Sequence, residues 1–348
     1  MAAESLESTA RQMVAPRQGI LAADESTGTI TKRFDAVGIE SNEDNRRAYR
    51  EMLFSTEGIG EYLSGVIMYD ETIRQKASDG RPFAKVLEDQ GVIPGIKVDE
   101  GAKDMALSDG EKVTEGLDGL RERLSEYVGM GARFTKWRAV ITIDEDKGIP
   151  TQACIDANAH ALARYAALVQ EAGMVPIVEP EVLIDGTHSI DTCYEVTQNT
   201  LTHTFHELYH QGVDLRGVIL KPNMVISGKD ATNRADVETV ARYTLDCLLR
   251  TVPAALPGIA FLSGGQSDRE ATAHLNAMNR LASDREMGPL PWEVTFSYAR
   301  ALQDLPMRTW KGDSSKVSEA QRIFAHRAKM NSLAHAGEYS ENMEESAA

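Results

Sequence analysis

Eight short runs of apolar and β-branched residues, each ending in polar or charged ones, punctuate the chain at fairly regular intervals. They are GILAADE from Gly19, GVIMYDE from Gly65, VIPGIKVDE from Val92 and ARFTKWRAV from Ala132. The second half adds MVPIVEPEVL from Met174, RGVILKPN from Arg216, GIAFLSGG from Gly258 and WEVTFSYAR from Trp292. Most of the intervals carry a 3.6-residue apolar period instead, as in ANAHALARYAALVQEAG, Ala157 to Gly173, with its terminal glycine as C-cap, or DVETVARYTLDCLLRTV, Asp236 to Val252. Strands that alternate with helices pair in parallel, and eight such units predict a (β/α)8 TIM barrel, with an open doubly wound sheet as the competing architecture. No composition break or linker divides the chain. We read residues 1–335 as one α/β domain, including an N-terminal helix, and the acidic segment 336–348 as a flexible tail with little to bury.

Charge and cysteine usage narrow the range of partners. The 348 residues carry a formal net charge of −16, which disfavours nonspecific binding to nucleic acid or to an anionic membrane. A small anionic ligand is still accommodated if cations are concentrated locally. Three widely separated cysteines, Cys154, Cys193 and Cys247, fit free thiols in a reducing, cytoplasmic setting. Neither a signal-peptide pattern nor a run approaching the ~20 apolar residues of a spanning helix is present in the sequence.

In a barrel of this type reactive groups gather at the C-terminal ends of the strands. Those ends hold Asp24 and Glu25, Asp70 and Glu71, Lys97 and Asp99, Lys136 and Arg138, Glu179 and Glu181, Lys221, Ser263 and Gly264, and Arg300. Alternation along a strand puts Lys136 with Arg138, and Glu179 with Glu181, on one face. Any one of these could be an ordinary salt bridge or a turn cap. Burying them together is too costly unless they neutralise each other or a ligand. Lys97, Arg300 and the amides of LSGGQS, followed by a helix N-terminus, suit a phosphate, and Ser26, Gly28 and Thr29 in DESTGTITKR form a second candidate cradle. Two cradles flanking a central lysine suggest a bisphosphate.

Lys221, ending an apolar strand before Pro222, is the candidate nucleophile. An amine attacks a carbonyl only when unprotonated, and lowering its pKa from ~10.4 to about 7 takes roughly 4 to 5 kcal/mol of differential interaction. Burial and the charge of Lys136 are the expected sources. The resulting iminium is an electron sink, so an adjacent carbon–carbon bond can break without a metal.

Two motifs point elsewhere. HELYH, His206 to His210, matches the HExxH zinc pattern, with His203 on the same face. It falls near the C-terminal end of a helix that leads into the sixth strand, which is the bottom of the barrel, and we read these as surface histidines. LSGGQ resembles a signature of ABC-transporter ATPases, but the chain has no phosphate loop ending in Gly-Lys-Ser/Thr to accompany it.

Taken together, GILAADESTGTITKRF, EDNRRAYR, GVIMYDET, QKASDGRPF, GIKVDEG, TEGLDGL, FTKWRAV, VPIVEPEVL, LKPNMV, FLSGGQS, FSYARALQ and MNSLAHAGEY give the chain a clear resemblance to the class I, Schiff-base, metal-independent fructose-bisphosphate aldolases over residues 14 to 339. The resemblance implies Lys221 as Schiff-base nucleophile and Glu179 as general acid/base. It implies Asp24 for substrate positioning and cleavage, and Lys136 for proton transfer and electrostatics, with Glu181 and Arg138 tuning them. Ser263, Gly264, Ala299 and Arg300 match one phosphate site, and Ser26, Thr29 and Lys97 match the other. It further implies reversible cleavage of fructose 1,6-bisphosphate to dihydroxyacetone phosphate and glyceraldehyde 3-phosphate by a cytoplasmic homotetramer in glycolysis and gluconeogenesis, with no cofactor and no metal. The chain departs from the family at Ala299, usually glycine, at Thr29, usually serine, and in ending with MEESAA where animal and plant members end in a tyrosine. Preference between fructose 1,6-bisphosphate and fructose 1-phosphate stays open, as does a related lyase acting on another sugar phosphate.

Overall fold

The computed structural model describes residues 2–283 and 289–347. All eight expected runs form strands: β1 Gly19–Ala22, β2 Leu63–Met68, β3 Ile93–Lys97, β4 Phe134–Ile141, β5 Val175–Val182, β6 Ile219–Leu220, β7 Gly258–Phe261 and β8 Glu293–Tyr298. They pair in parallel and close as β1–β8–β7–β6–β5–β4–β3–β2, a (β/α)8 barrel in one domain. The open sheet is thereby set aside.

Side-chain alternation divides the barrel interior into two levels. The lower level is apolar: Ile20, Ala22, Ile67, Phe134, Val175, Ile177, Ile219 and Ala260 pack as one buried cluster. Two residues further along their strands the same inward positions are occupied by Asp24 after Ala22, Lys136 after Phe134, Glu179 after Ile177 and Lys221 after Ile219. The apolar floor thus holds the charged rim in register. From below, the helix Ala2–Met13 closes the barrel with Leu6, Ala10, Met13 and the following Val14. A side chain at Gly258 would put its Cβ 2.6 Å from Val14, and one at Gly95 would lie 2.2 Å from the Phe134 ring, so both close approaches require glycine.

The sixth strand is shorter than its run suggests. A 3-10 turn over Leu215–Gly217 takes its start and Pro222 ends it, leaving two ladder residues. Pairing nevertheless continues, because the Lys221 amide donates to the Val178 carbonyl at 2.8 Å and the Pro222 carbonyl accepts from Leu262 at 3.2 Å. An antiparallel hairpin, Ala102–Asp104 with Lys112–Thr114, stands after β3 and was not apparent in the pattern.

The acidic C-terminal segment differs from the mobile tail expected of it. Tyr339 is 7% exposed, its amide donates to Asn276 at 2.9 Å, and its hydroxyl donates to Glu344 at 3.0 Å. Glu344 is itself buried against Arg327 of the helix Val317–His335. Arg327 supplies the charge that a purely compositional reading cannot see. Residue 348 lies outside the described residues. Among the described residues no helix is long and apolar enough to cross a membrane.

Candidate active site

A cavity of about 530 Å³ opens at the C-terminal rim of the strands. Asp24, Ser26, Thr29, Lys97, Lys136, Arg138, Glu179, Glu181, Lys221, Ser263, Gly264, Ala299 and Arg300, thirteen of the residues singled out from the sequence, line it together with Glu25, whereas Gly28, Asp70, Glu71 and Asp99 do not. With Lys32, Arg33 and Arg308 the wall carries eight cations against five carboxylates, the reverse of the protein's overall balance. An acidic chain therefore presents a locally positive site, which favours an anionic ligand.

The centre is a chain of alternating charges. Lys221 is 3% exposed, and its Nζ lies 3.1 Å from Glu179 Oε1. The other oxygen of Glu179 lies 3.2 Å from Lys136 Nζ, which in turn is 2.7 Å from Asp24 Oδ2. Glu179 Oε2 is buried and makes no aligned hydrogen bond among the described residues, so the 3.2 Å ion pair with Lys136 is what neutralises it. Burial opposes the charge of Asp24, but the ammoniums of Lys136, Lys221 and Lys97 outweigh it and hold the carboxyl well below its usual range. Lys136 is likewise disfavoured by burial and rescued by Asp24, Glu179 and Asp99, which push its ammonium above the ordinary lysine range. The charge of Lys136, expected to bear on Lys221, is thus engaged by two carboxylates of its own.

Groups suited to phosphate sit at both sides of this chain. Ser26 occupies the N-cap of the helix Thr27–Asp35 without a side-chain capping bond, and its hydroxyl lies 3.1 Å from that of Thr29. Lys97 is held by Asp99 at 2.6 Å and by the Asp99 carbonyl at 2.7 Å. Opposite, Ser263 and Gly264 open the loop before the helix Asp268–Ser283, and Ala299 is the N-cap of the helix Arg300–Trp310. A Cβ at Gly264 would meet Leu262 at 2.6 Å and Glu181 at 3.3 Å, so glycine lets the loop lie against the carboxylate that pairs with Arg138.

Sequence reading missed a second buried network beside the first. Glu25, noted only as a strand-end residue, is paired with Arg33 and with Arg50 at 2.6 Å, and accepts from Gln303 at 2.8 Å. Gln303 also donates to the Ala22 carbonyl at 2.7 Å and accepts from Tyr49 at 3.0 Å. Nothing local in the sequence joins positions 25, 33, 50 and 303. Ser297, another lining residue, could have been found from the inward alternation of β8 ahead of Ala299; its buried hydroxyl has no partner among the described residues. The residues of HELYH are absent from the cavity wall, and among the described residues no group of three His, Cys, Asp or Glu could hold a metal.

Comparison with known proteins agrees with this geometry. Residues 5–348 match the family model described as fructose-bisphosphate aldolase class-I. A probable fructose-bisphosphate aldolase class 1 of Xanthomonas campestris pv. campestris is 58% identical, with 97% of this chain and 99% of that protein covered. The fructose-bisphosphate aldolase of Dictyostelium discoideum is 51% identical over 97% of this chain and 93% of its own length. Among solved structures, fructose-bisphosphate aldolase from Plasmodium falciparum, in a ternary complex with TRAP and a small-molecule inhibitor, aligns with a TM-score of 0.94 at 48% identity, covering 97% of this chain and 96% of that one. The chain belongs to the class I fructose-bisphosphate aldolase family and is an enzyme of that class.

Proposed function

We propose that the enzyme cleaves fructose 1,6-bisphosphate reversibly to dihydroxyacetone phosphate and glyceraldehyde 3-phosphate through a Schiff base on Lys221. The observation that carries this reading is the buried Lys221 amine 3.1 Å from one oxygen of Glu179, whose other oxygen faces Lys136. Lys221 passes a proton to Glu179 and attacks the C2 carbonyl. Glu179 then returns a proton to the carbinolamine hydroxyl, which leaves as water, and the nitrogen lone pair forms the iminium. Glu179 takes the C4 hydroxyl proton, the C3–C4 electron pair flows into the iminium, and the aldehyde departs from the enamine. Protonation at C3 and hydrolysis by one water release the ketose and free the lysine.

Asp24 and Lys136 keep opposite charge beside the reacting atoms throughout, which limits the reorganisation needed as charge moves. Arg300 with the Ser263–Gly264 loop takes one phosphate. Lys97 exchanges its pairing with Asp99 for the other phosphate, aided by Ser26 and Thr29. The iminium serves as electron sink, so the mechanism calls for no cofactor or metal. The same reading extends, on the family resemblance alone, to a cytoplasmic homotetramer in glycolysis and gluconeogenesis.

Borohydride added with dihydroxyacetone phosphate should fix the triose phosphate on Lys221, seen by mass spectrometry of that peptide. An adduct at another lysine, or none, overturns the reading. Turnover of ketose bisphosphate should exceed that of the 1-phosphate if both phosphate sites operate, and light scattering should return four chains per particle.

A further inference from the structure

Four of the chain's eight histidines, His160, His203, His206 and His210, lie on one outer face formed by the helices Gln152–Glu171 and Ile190–His210. Two are engaged between the helices: His160 Nδ1 is 2.8 Å from Glu207 Oε2, and His203 Nδ1 is 2.8 Å from Asp156 Oδ1. His206 and His210 face each other one turn apart. Their Nε2 atoms are 2.9 Å apart, a hydrogen bond in which one ring donates to the other and whose proton a metal ion would displace, with ring centroids at 4.3 Å and planes crossed at 74°. Both side chains are exposed, and neither lines the reaction cavity.

We infer that His206 and His210 form a two-point chelate for a divalent transition-metal ion that accepts imidazole nitrogens in adjacent coordination positions, Cu²⁺ foremost. The spacing carries the argument. Imidazole–metal bonds of ~2.0–2.1 Å at a right angle separate the two nitrogens by ~2.9 Å, whereas a tetrahedral angle separates them by ~3.3 Å. The observed separation therefore matches a tetragonal or octahedral ion without rotamer change, and it leaves tetrahedral zinc a poorer fit. With no third protein ligand nearby among the described residues, water completes the shell. The site is peripheral to aldol chemistry. Glu207, which a hydrolytic HExxH site would use as its base, is held by His160 instead.

The test uses the full chain, stripped with EDTA, exchanged into chelator-free buffer and titrated with CuCl2 alone. Calorimetry should give one ion per chain at this site, and electron paramagnetic resonance should resolve two equatorial nitrogens. His206→Gln or His210→Gln should each weaken binding at least about tenfold, since loss of a mere outer-shell partner already costs 10–100-fold. His203→Gln and His160→Gln should leave it unchanged, and Ni²⁺ and Zn²⁺ should bind more weakly than Cu²⁺. His206 and His210 are exposed in the single chain, and His160 and His203 bridge the two helices, so a thermal melt of each variant accompanies the titration and only variants that melt with wild type are compared. The assignment is overturned if wild type binds Cu²⁺ no more tightly than the His206→Gln/His210→Gln double variant, or if His203→Gln costs as much as His210→Gln. Aldol turnover should be the same for stripped and loaded enzyme; a loss on loading would put the ion in the cavity instead.

Discussion

Asp24 and Glu25 adjoin in sequence at the end of β1, yet each anchors a network of different chemistry. Asp24 joins Lys136, Glu179 and Lys221, in which every cation is a lysine. Glu25 joins Arg33, Arg50, Gln303 and, through it, Tyr49, in which every cation is an arginine. A lysine ammonium can give up its proton when its surroundings change, whereas a guanidinium stays charged. The first network is therefore able to move protons during a reaction. The second can only hold position, tying the end of β1 to the helices Glu43–Phe54 and Arg300–Trp310 that carry its partners. Adjacent carboxylates on one strand end thus separate chemistry from support, and substitutions in each network should fail in different ways.

The sharpest separation should come from Lys221→Met. Removing the nucleophile should lower kcat by at least about ten-thousand-fold, as deletion of an attacking group does elsewhere. Stability should change little, because Glu179 keeps Lys136 as partner. Steady-state cleavage assays paired with thermal melts check this; a variant that melts early instead would show that the lysine network is structural too. Glu179→Gln should cost about a hundred- to ten-thousand-fold in kcat, the usual range for a lost general acid/base, with KM less affected. If KM bears the whole loss, Glu179 binds substrate rather than transferring protons.

The arginine network should answer in stability. Glu25→Gln leaves Arg50, 3% exposed, without its carboxylate, and breaking a buried pair from one side costs about 3–5 kcal/mol. Urea unfolding should show this loss, while the kcat of the fraction that stays folded falls less than in Glu179→Gln. A smaller effect of the same origin appears with acid. Burial opposes the charge of Glu25, but Arg33 and Arg50 outweigh it and depress its pKa, as the lysines do for Asp24. A carboxyl whose folded pKa lies below the unfolded one stabilises above the unfolded value of about 4 and loses that contribution as pH falls through the folded value. Midpoints of urea unfolding should therefore fall as pH drops below about 4, and more steeply for wild type than for Glu25→Gln. Parallel slopes would mean that Glu25 contributes nothing to the acid limb.

How much of this was legible in the sequence follows from the range of each interaction. Strand alternation is a two-residue pattern, so Ala22–Asp24, Ile177–Glu179 and Ile219–Lys221 announce both the apolar floor and the charged rim. The cavity residues were readable because the barrel brings most strand ends to one place; the end of β2 is the exception, with Asp70 paired to Arg74 and Glu71 to Arg46 away from the cavity wall. Glu25's partners come from positions 33, 50 and 303, and only folding joins the last two to it. The docked C-terminal segment escaped for the same reason: its composition is acidic and sparse, and the arginine that neutralises Glu344 belongs to the preceding helix. That Glu179 lies between Lys221 and Lys136 was not legible, since a strand-end inventory does not say which charges touch.

The smallest expected effect concerns a group outside both networks. Thr29 is an exposed rim residue whose hydroxyl meets only that of Ser26 among the described residues. If it donates to the second phosphate, Thr29→Ala removes one hydrogen bond to an anion. Solvent competes for that bond, so the cost should lie near the ordinary net value of about 0.5–1.5 kcal/mol, a two- to twelvefold rise in KM with kcat nearly unchanged. The comparison that isolates it is substrate against substrate. With the Ser26–Thr29 cradle assigned to the 6-phosphate, fructose 1,6-bisphosphate should show the rise and fructose 1-phosphate, which lacks that group, should not. Equal rises for both would move Thr29 to the side of the arginine network, acting through the helix Thr27–Asp35 rather than on the ligand.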